Sequence, residues 1–231
     1  MIEGLALGSA KPPARGAPDA IPGLQGARVK FAMTQAGGNA NLSITDGSLT
    51  FPGVFEEPRI PLQSLSATVN WKIDGEQIAV DALLAMLTQA QSEGLTSWQI
   101  SAGYRSVAYQ QKLFDDKVYS YRQQGMTGAQ ARSAARKLVA EPGCSEHHTG
   151  LAFDITVPGT SFGGTKQAKW LEEHCWEWGF ILRYPADKTA ITGITNEPWH
   201  FRYVGVDASM EMRETGECLE EYVERKQSEQ Q

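Results

Sequence analysis

The stretch Ser145-Glu-His147-His-Thr-Gly150-Leu-Ala-Phe-Asp154 decides how the rest of the chain is read. Its second half opens an apolar run, Leu151–Val157, with the length and composition of a buried strand interrupted by one carboxylate. A carboxylate in such a strand is costly unless a cation or a hydrogen-bond donor compensates it. His147 precedes it by seven residues across a loop-to-strand junction, and Gly150 gives the backbone freedom for the loop to turn back over the strand start. Taken alone, the pattern fits two chemistries equally: a buried Asp154 hydrogen-bonded to His147, or a pair of metal ligands.

Working outward, a second polar cluster reads Glu197-Pro-Trp199-His200 at the entry to an apolar strand, Trp199–Val204. All four histidines of the chain (His147, His148, His174 and His200) lie in its second half. Adding His200 to His147 and Asp154 gives two imidazoles and a carboxylate, a set suited to a catalytic zinc with one position left for water. Glu197, three residues before His200, is then available to take the proton from that water. The plainer reading of the tetrapeptide is a strand entry with a Trp anchored in the core. A third cluster, Ser101-Ala-Gly103-Tyr104-Arg105-Ser106, lies where a strand passes into a helix. An arginine there can reach across a cleft to a carbonyl or carboxylate; the plainer reading is a surface arginine near a helix start.

The intervening segments read as alternating helices and strands. Val80–Gln91 has helical apolar spacing with Gly94 as a stop, and Trp98–Tyr104 reads as a strand. Ser106–Gln124 is a long helix with Val107, Leu113, Val118 and Tyr121 inward. Thr127 and Gln130 form a capping box opening a helix to about Ala140. Thr165 caps a helix carrying Trp170, Leu171, His174 and Trp178, closed by Gly179, followed by a strand at Phe180–Tyr184. Asp207 caps a final helix ending at Gly216, and the charged segment from Glu220 onward reads as a solvated tail. The mixture without a regular βαβ alternation points to an α+β fold.

The N-terminal third differs. Residues 1–28 read as a flexible tail, because Lys11–Gly26 holds four prolines and three glycines without apolar periodicity. Residues 29–74 read as a small β-rich accessory segment, with short runs at Val29–Met33, Leu42–Ile44, Leu49–Phe51 and Ala67–Ile73. Residues 75–231 then form the main domain. The chain has 231 residues, a net charge of −6, 41% hydrophobic and 21% charged residues, which excludes fibrous and wholly disordered classes. No run approaches 18 apolar residues, so no membrane span is expected, and the mild acidity argues against nucleic acid as main partner. Three cysteines, Cys144, Cys175 and Cys218, are too few for a disulfide scaffold, and their pairing is left open.

Together the clusters resemble the zinc D-alanyl-D-alanine carboxypeptidases of the VanY type, within the hedgehog/DD-peptidase fold. The pattern S-x-H-x-x-G-x-A-x-D is met by Ser145, His147, Gly150, Ala152 and Asp154, and E-x-W-H by Glu197, Trp199 and His200. The S-G-Y-R-S pattern appears with an extra alanine at Ser101–Ser106. Tyr109-Gln110-Gln111, Leu113-Phe114, Tyr203-Val-Gly205 and Cys218-Leu-Glu-Glu-Tyr222 follow in the family's order. The resemblance covers about Gly75 to Glu224.

This resemblance implies a small antiparallel sheet flanked by helices, with the β-like segment as an appendage. It implies Zn2+ held by His147, Asp154 and His200, Glu197 as catalytic base, Arg105 on the scissile carbonyl, and Ser145 on the amino side of the substrate. The expected reaction is hydrolysis of the terminal D-Ala-D-Ala bond of peptidoglycan stem peptides. Its alternatives are a D,D-dipeptidase, an L,D-carboxypeptidase, a stem-peptide endopeptidase or a non-catalytic zinc-stabilised binding module. Cys144, beside the motif, departs from the pattern but is not needed to complete the ligand set. His148 is expected to face solvent or lie against the ligands, and Tyr184 and Arg202 to lie against the ligands; His174 is expected to be a core or surface histidine, and the tryptophans to pack, with Trp176 a candidate for an exposed face. The substrate implies an extracytoplasmic or envelope location. No secretory signal is visible, which fits a cytoplasmic protein or an export segment removed or outside this sequence.

Overall fold

In the computed structural model, residues 75–229 are described throughout, and N-terminal to them only the backbone of five three-residue strands. These are β1 (Lys30–Ala32), β2 (Asn39–Asn41), β3 (Ser43–Thr45), β4 (Ser48–Thr50) and β5 (Ala67–Val69). β1 pairs antiparallel with β2, and β3 with β4. The tail expected over residues 1–28, and most of the segment expected over 29–74, lie outside the described residues.

The central sheet is organised by the strand that carries Asp154. β7 (Ala152–Thr156) lies between β6 (Trp98–Ala102) and β9 (His200–Tyr203), and β8 (Phe180–Leu182) closes the far edge. The order is β5-β6-β7-β9-β8, antiparallel throughout except for the parallel pairing of β5 with β6. Phe153, Ile155, Phe180, Phe201 and Tyr203 from these strands are buried in one core with Trp98 and Ile100. Each large apolar side chain removed from water contributes about 1.5–3 kcal/mol.

Helix α1 (Gln77–Ser92) buries nine residues, from Ala79 and Val80 through Leu83, Leu84, Met86 and Leu87 to Ala90. It is apolar nearly all round, as a helix within a core must be. Helix α4 (Lys166–His174), capped by Thr165 on the Ala168 amide, passes into a 3-10 turn at Cys175–Trp178. Gly179 ends that turn at φ +80°, where a Cβ would stand 2.7 Å from the Tyr203 ring. Trp170 and Trp178 are core residues, as expected from their packing role. No helix among the described residues is long and apolar enough to cross a membrane.

Several expectations need correction. Helix α2 (Val107–Gln123) buries only Gln110 and Phe114, not Val107, Leu113, Val118 and Tyr121. It lies against helix α3 (Gly128–Arg136) and lines a cavity rather than covering the sheet; the Arg132 guanidinium sits 5.2 Å from the Phe114 ring centre. The Thr127–Gln130 capping box is present, but α3 ends at Arg136 and not near Ala140. The carbonyls beyond it serve other elements: Lys137 accepts from the Thr195 amide and Ala140 from the Gln110 side chain. β6 stops at Ala102, and the next carbonyl, that of Gly103, accepts from His147.

At the C-terminal end, helix α5 (Thr189–Thr192) is a single turn, and helix α6 (Val206–Thr215) is preceded by Gly205, not capped by Asp207. The segment expected to be a solvated tail is helix α7 (Leu219–Ser228), which buries Leu219, Glu220, Tyr222 and Val223. Its apolar positions recur at i, i+3 and i+4, enough to seat a short helix despite its charge.

Candidate metal centre

Two of the predicted ligands are placed by sheet register. Asp154 on β7 and His200 on β9 are directly opposed partners, and Asp154 is also opposed by Ala102 on β6, past a register shift. The third comes from the 3-10 turn Glu146–Thr149, which ends at Gly150 with φ +69°. There the chain reverses so closely that the Gly150 carbonyl accepts from the Glu76 amide, and a Cβ would meet that nitrogen at 3.0 Å. The turn is also laced to the loop between β6 and α2. The Arg105 amide donates to the His147 carbonyl, and the imidazoles of His147 and His148 donate to the carbonyls of Gly103 and Arg105, each at 2.7 Å.

These bonds fix which nitrogens face inward. With Nδ1–H of His147 committed to Gly103, its Nε2 lone pair lies 3.4 Å from Asp154 Oδ1. His200 donates through Nε2–H to Glu146 Oε2 at 3.4 Å, leaving Nδ1 facing Asp154 Oδ1 at 3.2 Å. The three ligand atoms lie within 4.8 Å of one another, and all three residues are buried. Ligands about 2.0–2.1 Å from a tetrahedral zinc lie roughly 3.3 Å apart, which the two imidazole–carboxylate separations of 3.4 and 3.2 Å match. Asp154 Oδ1 is buried with no hydrogen-bond partner, whereas Oδ2 accepts from Arg105 Nη2 at 2.7 Å. An unpaired carboxylate oxygen between two imidazole nitrogens is what a cation site presents when its chemistry is read from the protein side.

The two imidazoles are shifted in opposite directions. Burial, with the Arg105 charge, lowers His147 to about 4, keeping it neutral as a ligand must be. Burial would also lower His200, but its bonds to Asp154 and Glu146 outweigh it and raise the group to about 9, so a metal ion bound at Nδ1 would displace a proton there. Asp154 is held well below the usual carboxylate range because His147, His200 and Arg105 overcome the cost of its burial. Glu197 lies 3.6 Å from His200 Nδ1, and burial raises it to about 7. Its amide donates to the Tyr184 carbonyl and its carbonyl accepts from the His200 amide, so the carboxylate is held at the edge of the ligand set.

The cluster opens onto a cavity of about 430 Å³. Arg105, Ser145 and Glu197 line it with the three ligands, so every predicted site residue reaches one place. Trp199 lines it too and is 36% exposed, so it forms part of the cavity wall and is not the core anchor of the plainer reading. Tyr184 packs its ring 5.0 Å from that of His200. His148 is fully buried and accepts from the Gly143 amide, which excludes a solvent-facing role. His174 packs on Trp170 and bonds Glu177, away from the cluster. Cys144 is not in the ligand group, and all three cysteines are unpaired. Sequence reasoning missed Glu146, whose bond to His200 orients that ligand; its only signal was an acid buried between two motif residues.

A family model described as VanY, D-alanyl-D-alanine carboxypeptidase, matches residues 72–206. The D-alanyl-D-alanine carboxypeptidase of Enterococcus faecalis is 48% identical over 124 residues, covering 54% of this chain and 46% of that protein. The chain thus spans about half the length of that curated relative. The solved structure of VanYB in complex with D-alanine-D-alanine superposes with a TM-score of 0.63 at 39% identity, covering 74% of this chain and 95% of that one. A mutant of the vancomycin resistance D,D-pentapeptidase VanY from the VanB-type cassette, in complex with Zn(II), superposes with a TM-score of 0.62 at 40% identity. It covers 74% of this chain and 96% of the other. With the metal cluster, the hedgehog/DD-peptidase-like sheet and a family match across more than half of its length, this chain belongs to the VanY D-alanyl-D-alanine carboxypeptidase family.

Proposed function

We propose that the protein is a zinc-dependent D,D-carboxypeptidase that removes the terminal D-alanine from peptidoglycan stem peptides. The observation that carries this reading is the convergence of His147 Nε2, Asp154 Oδ1 and His200 Nδ1 beside Glu197 in an open cavity. The neighbours named as complexes with D-alanine-D-alanine and with Zn(II) support the substrate class and the ion.

Zinc held by this set supplies Lewis acidity, which brings the pKa of water to about 7 and draws electron density from a carbonyl. The residues of the chain do the rest. Glu197, whose raised affinity for protons suits exchange near neutrality, takes the proton of the attacking water and returns it to the leaving amine. Arg105 is tethered through Nη2 to Asp154, which holds its guanidinium at the cavity wall to bind the scissile carbonyl as negative charge develops. Ser145 lies on the same wall and contacts the amino side of the peptide. Such a substrate places the protein outside the cytoplasmic membrane, at the cell envelope.

The test is release of D-alanine from a stem pentapeptide, followed by mass spectrometry with and without a chelator. Chelator-sensitive conversion of pentapeptide to tetrapeptide supports the reading. An intact pentapeptide overturns it, and cleavage of tetrapeptide or free dipeptide instead reassigns the bond.

A further inference from the structure

From His200 a chain of buried ionic contacts that the catalytic reading does not use runs into the protein, starting at Glu146 on the cavity lining. Glu146 accepts from His200 through Oε2 and from Arg183 Nε through Oε1 at 2.5 Å. Arg183 donates with both terminal nitrogens to Glu220 of α7, at 2.8 and 2.5 Å. Exposure is 5% for His200, 2% for Glu146, 1% for Arg183 and 3% for Glu220. Arg202, fully buried, places Nη1 3.8 Å from Glu146 Oε2. Two carboxylates thus face two guanidinium groups, and Glu146 is held well below its usual range because Arg183, Arg202 and His200 outweigh its burial.

Such a set is a poor source of stability, since apolar residues of similar volume commonly do as well. Its geometry has a clearer use. A carboxylate can only accept from an imidazole, so Glu146 dictates that His200 carries its proton on Nε2 and turns Nδ1 toward Asp154. Glu146 is itself aimed by Arg183, and the orientation of Arg183 is set by the two-pronged bond to Glu220.

We propose that Glu146 and Glu220 are positioning residues for metal binding, with Glu220 acting from the C-terminal helix through Arg183 and Glu146 on the ligand His200. The proposal rests on the reading of His147, Asp154 and His200 as a zinc site. Together they hold the ligand's tautomer and ring plane.

The experiment measures zinc affinity of the full chain by competition with a chromogenic chelator, for the wild type, Glu146→Gln, Glu220→Gln and the double variant. The expected loss for Glu146→Gln is about 10- to 100-fold. Glu220→Gln loses up to about tenfold, Glu220→Asp recovers part of it, and Glu220→Gln adds nothing once Glu146→Gln is present. That non-additivity separates a relay from two independent structural roles. Wild-type affinity in both single variants, or losses that simply add, overturns the proposal while leaving the zinc site standing. A wild type that binds no zinc overturns the site reading and the proposal together. If Glu146→Gln does not fold, the visible spectrum of cobalt-loaded Glu220→Gln decides. Altered d–d bands support the relay, and a spectrum superimposable on wild type overturns it.

Discussion

Asp154 and His200 are cross-strand partners: they face each other in the antiparallel pairing of β7 with β9, and Asp154 Oδ1 lies 3.2 Å from His200 Nδ1. Residues 46 positions apart (200 − 154) are therefore held by backbone register, with no reliance on a mobile loop. A one-residue slip would send one of the two side chains to the opposite face of the sheet. Only His147 is supplied by a turn, and that turn is tied to the β6–α2 loop by three hydrogen bonds.

Glu197 lies beside the ligands without belonging to them, so its removal separates chemistry from metal binding. Glu197→Gln should retain zinc while kcat for D-alanine release falls on the order of 10²- to 10⁴-fold. KM should change little. Metal analysis and steady-state kinetics on the same preparation check this, and loss of zinc in the variant would show Glu197 to be a ligand.

Arg105 uses one terminal nitrogen on Asp154 and faces the cavity. Arg105→Ala is expected to lower kcat by about 10²- to 10³-fold, the usual effect of removing a donor to a developing oxyanion. Arg105→Lys should recover little, because an ammonium cannot bridge a carboxylate and a carbonyl in the planar fork of a guanidinium. Recovery to near wild-type activity would assign Arg105 a purely electrostatic role.

Cys144 adjoins the motif, yet the ligand set is complete without it. Cys144→Ser should keep wild-type zinc stoichiometry and activity, and dialysis against a chelator should inactivate both proteins equally. Zinc added back should restore both. A selective loss of metal from Cys144→Ser would bring the thiol into the site.

Gly179 adopts φ +80°, and a Cβ there would meet the Tyr203 ring at 2.7 Å and the Gly205 carbonyl carbon at 3.1 Å. Gly179→Ala should therefore destabilise the fold by at least ~1–2 kcal/mol from the left-handed backbone alone. For a domain of this size each kcal/mol lowers Tm by roughly 2–4 °C. Thermal melting of the two zinc-loaded proteins measures it, and an unchanged Tm would mean that this turn relaxes freely.

How legible all this is in the sequence depends on what kind of signal each residue gives. Asp154 and His200 announce themselves because ionisable side chains stand in apolar strands, His147 and Glu197 because they sit in the short polar motifs just before them, and the structure brings all four to one cavity. Glu146 does not, since an acid beside two histidines looks like ordinary loop polarity until its burial is seen. Glu220 is hidden for a related reason. Segment 219–228 is rich in charge, and its apolar stripe is only Leu219, Tyr222 and Val223, too short to outweigh composition. The partner that makes burial of Glu220 affordable, Arg183, lies 37 residues away, beyond the reach of any local pattern. Helix α2 misleads in the other direction. Its apolar residues line a cavity and a neighbouring helix instead of a core, and spacing alone cannot tell these apart.

The most direct test is the zinc content of the folded protein beside that of His147→Ala, Asp154→Ala and His200→Ala, by native mass spectrometry. The predicted result is about one zinc per chain in the wild type and its loss in each variant, with the far-ultraviolet circular dichroism unchanged. Zinc retained in any of the three, or absent from the active wild type, would contradict the account.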